Sequence, residues 1–170
     1  MRALLTLTLT GLAATPALAA DMAVTIEIPR LQVAEYHRPY VGVWVEGPDQ
    51  SVAANLAVLY DVKKADREGE KWLKDMRQWW RRVGRDLTLP ADGISGPTKA
   101  PGEHRLEYTV GKDPLGELAP GEYTLVVEAA REVGGRELMR IPFTWPAKAP
   151  ATLTAEGSEE LGRIALDLTP

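Results

Sequence analysis

Apolar and polar residues alternate along most of this chain, the period-two signature of strands that bury one face. Val24, Ile26 and Ile28 alternate with Thr25 and Glu27, and Val41, Val43 and Val45 with Gly42, Trp44 and Glu46. Leu56, Val58, Tyr60 and Val62 share a third face, Leu106, Tyr108 and Val110 a fourth, and Tyr123, Leu125, Val127 and Ala129 a fifth. Met139, Ile141, Phe143 and Trp145 make a sixth set, and Ile164, Leu166 and Leu168 a seventh. Gly/Pro turns separate these runs, and a stretch from Ala147 to Pro150 reads as a short linker before the last. The pattern predicts an all-β, immunoglobulin-like antiparallel sandwich of about seven strands.

One stretch breaks the period. From Glu70 to Val83, apolar residues fall at Trp72, Leu73, Met76, Trp79, Trp80 and Val83. That spacing predicts an inserted amphipathic helix with at least one tryptophan in the core. Glu70 stands four residues before Lys74, and Lys71 four before Asp75, which pairs charges on its wet face. Acidic Glu68 and Glu70 begin it, and Arg81 and Arg82 close it, as the helix dipole favours. The following stretch, Asp86 to Pro101, is rich in Gly, Pro and small residues and reads as an exposed loop. Further on, Pro120-Gly121-Glu122-Tyr123 resembles the start of a strand in immunoglobulin-like domains, where a tyrosine hydrogen-bonds back to the chain as in a tyrosine corner. Gly111 to Gly116 carries a single aspartate, Asp113, without acidic companions, and reads as a plain turn rather than a calcium loop.

Residues 1–19 read as an export signal. Met1-Arg2 is a charged start, Ala3 to Ala14 is an apolar run too short to span a bilayer, and Ala17-Leu18-Ala19 offers small residues for cleavage. The expected mature chain, 20–170, is about 150 residues long and fits one domain in the periplasm without membrane insertion. The chain has no cysteine, which removes a lipid-anchored form, disulfides and thiolate chemistry together. Its two histidines, His37 and His104, leave little for zinc, haem or a nucleophile–histidine mechanism, so no catalytic residue and no metal site is read here. The formal net charge of −4 gives no basic excess with which to displace counterions from nucleic acid.

Redox chemistry in such a chain has to come from a group outside the polypeptide. Asp92-Gly93-Ile94-Ser95-Gly96-Pro97-Thr98 resembles the acceptor motif of proteins that carry covalent FMN, an Asp-Gly-x-Ser/Thr-Gly-Ala-Thr/Ser run read by an FAD:protein FMN transferase. Here Pro97 stands where that motif has alanine. The resemblance implies FMN esterified to Thr98 through its phosphate, with Asp92, Gly93, Ser95 and Gly96 as the recognised loop and Ser95 as the second hydroxyl.

Tyr36-His37-Arg38-Pro39-Tyr40, the Trp79-Trp80-Arg81 helix end, Pro120 to Leu125 and Val127 to Glu132 are similar to a bacterial family of predicted periplasmic proteins. That resemblance implies association with periplasmic flavin transferases and PepSY-type membrane redox proteins, in extracytosolic electron transfer or iron uptake. Further contact candidates are His37 and Arg38, at a sandwich end, and Trp80 and Arg81, at the helix end. Glu128 and Glu132 read as outward-facing residues of a polar strand end. Two functions follow: a periplasmic FMN carrier, or an unmodified immunoglobulin-like binding module. Both readings weigh against an enzyme without settling that question.

Overall fold

The computed structural model describes residues 21–170. The export-signal reading of residues 1–19 lies outside the described residues, as does Ala20. Nine strands are found among the described residues. One sheet has the order β5-β1-β9-β8, built from β1 (Asp21–Ile28), β5 (Gly102–Thr109), β8 (Ala151–Glu156) and β9 (Arg163–Thr169). The other has the order β4-β3-β2-β6-β7, built from β2 (Tyr40–Glu46), β3 (Val52–Tyr60), β4 (Ser95–Pro97), β6 (Gly121–Ala130) and β7 (Arg136–Trp145). All pairings are antiparallel except β3 with β4. The protein is therefore an all-β sandwich, and each of the alternating runs forms a strand.

Alternation fails where its physical premise fails. The two strands beyond the expected set are β4, too short for a period of two to register, and β8, an edge strand with no fully buried residue. Val62 and Val110 fall just past the ends of β3 and β5. The expected linker precedes β8 rather than the final strand. Tyr123 meets its expectation: its hydroxyl donates to the Ala119 carbonyl at 2.8 Å.

Side chains from both sheets interdigitate into one apolar core, with Val24 and Ile26 of β1, Val43 of β2, Val127 of β6 and Leu166 of β9 at its centre. The outer face of the five-stranded sheet is buried as well. Trp44, Val58, Tyr60 and Val126 pack there against Leu73, Met76 and Trp79. Central strands β2 and β6 thus have both faces covered and contain runs of buried residues, Val41 to Glu46 and Leu125 to Ala130.

The covering element is not the regular helix expected over Glu70–Val83. A 3-10 segment runs over Ala65–Asp75 with Asp66 and Arg67 at positive φ. Met76 breaks it, a six-residue helix α1 (Arg77–Arg82) follows, and another 3-10 turn covers Gly84–Asp86. In a 3-10 helix, side chains three apart eclipse. The Glu68–Lys71 ion pair follows that spacing, and Arg67, at positive φ, also pairs three residues on with Glu70; both take the place of the expected four-residue pairs. Leu73, Met76 and Trp79, also three apart, are fully buried, whereas Trp72 lies off that stripe and is 42% exposed.

Trp79 is the anchor. A Cβ on Gly42 of β2 would sit 2.6 Å from its indole, and one on Gly84 would also collide with it, so two glycines make its slot. Its Nε1 donates to Asn55 Oδ1 at 3.3 Å. Glu128, expected to face outward, is fully buried beneath this cover. Its carboxylate accepts from the Gln78 and Trp79 backbone N–H groups at 3.1 and 2.6 Å and from Arg136 Nε at 2.5 Å. It satisfies the otherwise free amides at the start of α1 from a neighbouring strand. Buried Glu46 accepts from Trp44 Nε1 at 2.9 Å and from Arg140 Nη1 at 2.6 Å.

Candidate functional site

The sheet's directions gather several segments at one end of the sandwich. Because β2 runs antiparallel to β3 and β6, its approach, Tyr36 to Tyr40, lies beside the chain leaving β3 and the chain leaving β6. Strand β4 is parallel to β3, so Thr98, just after it, arrives at the same end. These segments and Trp72 of the cover enclose a cleft of about 610 Å³, lined by Tyr36, His37, Arg38, Tyr40, Asp61, Lys64, Trp72, Asp75, Thr98, Ala130, Arg131 and Glu132. The volume lies within the range of small-molecule and cofactor sites.

The acceptor-like motif is more ordered than an exposed loop. Ala91 to Ile94 forms a turn in which Gly93 takes φ 71°, a backbone region that glycine occupies without penalty. Ser95 fastens this turn: its Oγ accepts from the Ala91 N–H at 2.9 Å, and its own N–H donates to the Ala91 carbonyl at 2.9 Å. Ser95, Gly96 and Pro97 then pair with Val58, Leu59 and Tyr60 as β4, and the Thr98 N–H donates to the Tyr60 carbonyl at 3.1 Å. Gly96 packs closely on Leu59, where an added Cβ would stand 3.1 Å from the leucine side chain. Pro97 suits an edge strand, which tolerates a residue without an N–H and holds its predecessor extended. Composition alone could not show this, because Gly, Ser, Pro and Thr are equally the residues of turns. Asp92 is exposed at the turn.

Of the sequence-derived contact candidates, His37 and Arg38 meet Thr98 in the cleft. Trp80 and Arg81 do not. Trp80 lines a separate groove with Leu73, Gly84, Arg85 and Leu87, and Arg81 is exposed on α1. The aromatic side chain that the cover contributes to the cleft is instead Trp72, which lies off the buried stripe of Leu73, Met76 and Trp79. Lys64, Asp61 and Asp75 were not singled out by the sequence either. Asp61 immediately follows strand β3 and Lys64 comes three residues later, positions that mark them as sandwich-end residues.

The cleft has mixed charge. His37 Nε2 lies 2.9 Å from Glu35 Oε1, and its Nδ1 lies 3.6 Å from Glu132. Arg131 is spoken for: it makes a buried two-point pair with Glu160, at 2.8 and 3.1 Å. Among the described residues, Arg38 and Lys64 have no carboxylate within ion-pair distance. Burial pushes the Tyr40 phenol above its ordinary range, and the Asp61 and Glu132 carboxylates push the same way against an opposing backbone hydrogen bond from Asp61. Tyr36 carries the most telling atom, because its hydroxyl is buried without a hydrogen-bond partner among the described residues. A buried polar group left unmatched costs stability.

The model of a family described as "Predicted periplasmic protein (DUF2271)" matches residues 21–163. The chain belongs to that family. No curated protein and no solved structure matches it significantly. In this DUF2271 chain the matched region contains every strand through β8, the helical cover and the whole cleft. No helix among the described residues is long and apolar enough to cross a membrane.

The residue set fits a flavin phosphodiester. Such a group bears one negative charge, a flat ring system and a pyrimidine edge with both donors and acceptors. Arg38 and Lys64 supply cations and Trp72 an exposed aromatic face. Asp61, Asp75 and Glu132 on the same walls set three carboxylates against these two cations.

Proposed function

We propose that this protein is a periplasmic electron carrier bearing FMN on Thr98, attached by an FAD:protein FMN transferase. In that step the Thr98 Oγ1 forms a bond to the flavin-side phosphorus of FAD, and the bond from that phosphorus to the AMP oxygen breaks. AMP leaves, and the hydroxyl proton passes to a base of the transferase. The acceptor hydroxyl must enter another protein's active site in line with the leaving group, so a pre-shaped, accessible segment is favoured. The observation that carries the reading is the setting of the motif: its hydroxyl-bearing end lies at the lip of a cleft with cations and an aromatic wall. Thr98 is also the better acceptor of the two hydroxyls, because Ser95 Oγ already holds its own turn.

The bound flavin would supply the electron chemistry, and this chain's residues bind and orient it. A PepSY-type membrane protein is the proposed redox partner. An unmodified binding module is the second reading, favoured by the exposure of Trp72 and Val133, which share a groove beside the cleft.

Intact mass spectrometry of protein co-expressed with and without the transferase separates the two. The carrier predicts an added FMN moiety that maps to Thr98 and is absent from Thr98→Ala, with unchanged thermal stability. An unmodified mass in both samples, with the transferase active on another acceptor, removes the carrier reading.

A further inference from the structure

We infer that the cleft is a seat for the flavin ring system, so that the cofactor is held against the sandwich rather than swinging on a single ester. The inference rests on the carrier reading for its covalent part, but its recognition chemistry can be tested without attachment. Three observations converge on it. Trp72 is a large aromatic residue left 42% exposed by a cover that buries its neighbours Leu73, Met76 and Trp79. It lies in the same cleft as Thr98. Arg38 and Lys64, which have no carboxylate within ion-pair distance among the described residues, line the same cleft.

The roles divide by chemistry. Trp72 offers a face to the isoalloxazine, where aromatic stacking gains most from a flat, polarisable ligand. Arg38 and Lys64 lie beside the phosphodiester, while Arg131, fixed by Glu160, shapes the wall without offering a free charge. Seating shields the ring from water, which makes its electronics responsive to these neighbours.

The test uses the full exported chain in two arms. In the first, FMN is titrated into unmodified protein and its fluorescence and anisotropy are read. Saturable quenching with raised anisotropy is expected. Trp72→Ala should weaken binding roughly two- to tenfold and restore brightness. Arg38→Ala should weaken binding without relieving quenching, and Trp80→Phe, in the separate groove, should change neither. In the second arm the same readings are made on protein carrying flavin at Thr98. Attached flavin that is as bright and as freely rotating as FMN in buffer overturns the seat while leaving the carrier reading intact. Saturable quenching of free FMN in a chain that the transferase never modifies supports the seat and removes the carrier. No attachment and no quenching removes both.

Discussion

The two faces of the five-stranded sheet are buried by different means. Its inner face meets the opposite sheet through aliphatic side chains from β1, β2, β6 and β9, each in contact with several others. Its outer face lies under a cover of short 3-10 and α-helical pieces, held by one indole in a slot between two glycines and by buried carboxylates. The first arrangement is redundant, because losing one methyl group leaves most contacts in place. The second concentrates its stability in few groups. The candidate cleft is built at the rim of the second face, which links its geometry to those few groups.

The largest expected effect follows from that concentration. Trp79→Ala should cost about 3–5 kcal/mol in urea unfolding, because it empties a slot that neither Gly42 nor Gly84 can fill. Ile26→Val in the inner core should cost about 0.5–1.5 kcal/mol. Trp72→Ala, on the same cover but off its buried stripe, should remain within about 0.5 kcal/mol of wild type. Equal losses for Trp79→Ala and Trp72→Ala would erase the distinction between anchor and cleft wall.

Glu128 sharpens the comparison one step down. Glu128→Ala leaves two backbone amides and the Arg136 guanidinium without their acceptor, and should cost about 3 kcal/mol. Glu128→Gln keeps the shape and one acceptor but not the charge, so it should fall between alanine and wild type. Amide hydrogen exchange at Gln78 and Trp79 gives a local reading: both should exchange faster in Glu128→Ala, while the inner strands keep their protection. Uniform loss of protection would mean that the cover and the sandwich unfold as one unit.

Much of this division could be read in the sequence, and the rest was obscured for physical reasons. Strands with one wet face announced themselves by alternation, as in β1 and β9. Strands β2 and β6 kept the pattern only because Gly42, Trp44, Glu46 and Glu128 looked polar or ambiguous, although all are buried. The cover was legible as helical and amphipathic, but its break at Met76 was hidden because Trp72 and Trp80 fit one uninterrupted period of 3.6. That ambiguity placed Trp80, rather than Trp72, among the contact candidates. Strand β4 could not be inferred, since three residues paired through backbone groups leave no side-chain signature. His37, Arg38 and Thr98 come from separate parts of the chain, and only the strand directions bring them to one end.

A third region, the junction where the two sheets meet near the cleft, gives the smallest and most specific prediction. Glu137 on β7 accepts from the backbone N–H groups of Ser158, Glu159, Glu160 and Leu161, at 2.7 to 3.0 Å, and so fastens the β8–β9 turn to the other sheet. Burial pushes its carboxyl up, but those four amides outweigh it and leave the group below its ordinary value of 4.5. A carboxylate depressed in the folded state stabilises above its unfolded value, and that contribution is lost as pH falls through the folded value. Glu137→Gln should therefore be less stable than wild type at neutral pH, by on the order of 1 kcal/mol given its partial exposure. The two curves should converge as the pH drops below 4.5 and through the lower, folded-state value. Asp167, also held low by Thr152 and Arg105, titrates in both proteins and cancels in the difference. The difference in unfolding free energy, followed by urea titration from neutral to acidic pH, isolates Glu137. A constant gap across that range would show that the glutamine restores the four amide contacts equally poorly at every pH, and that the charge of Glu137 contributes nothing to joining the sheets.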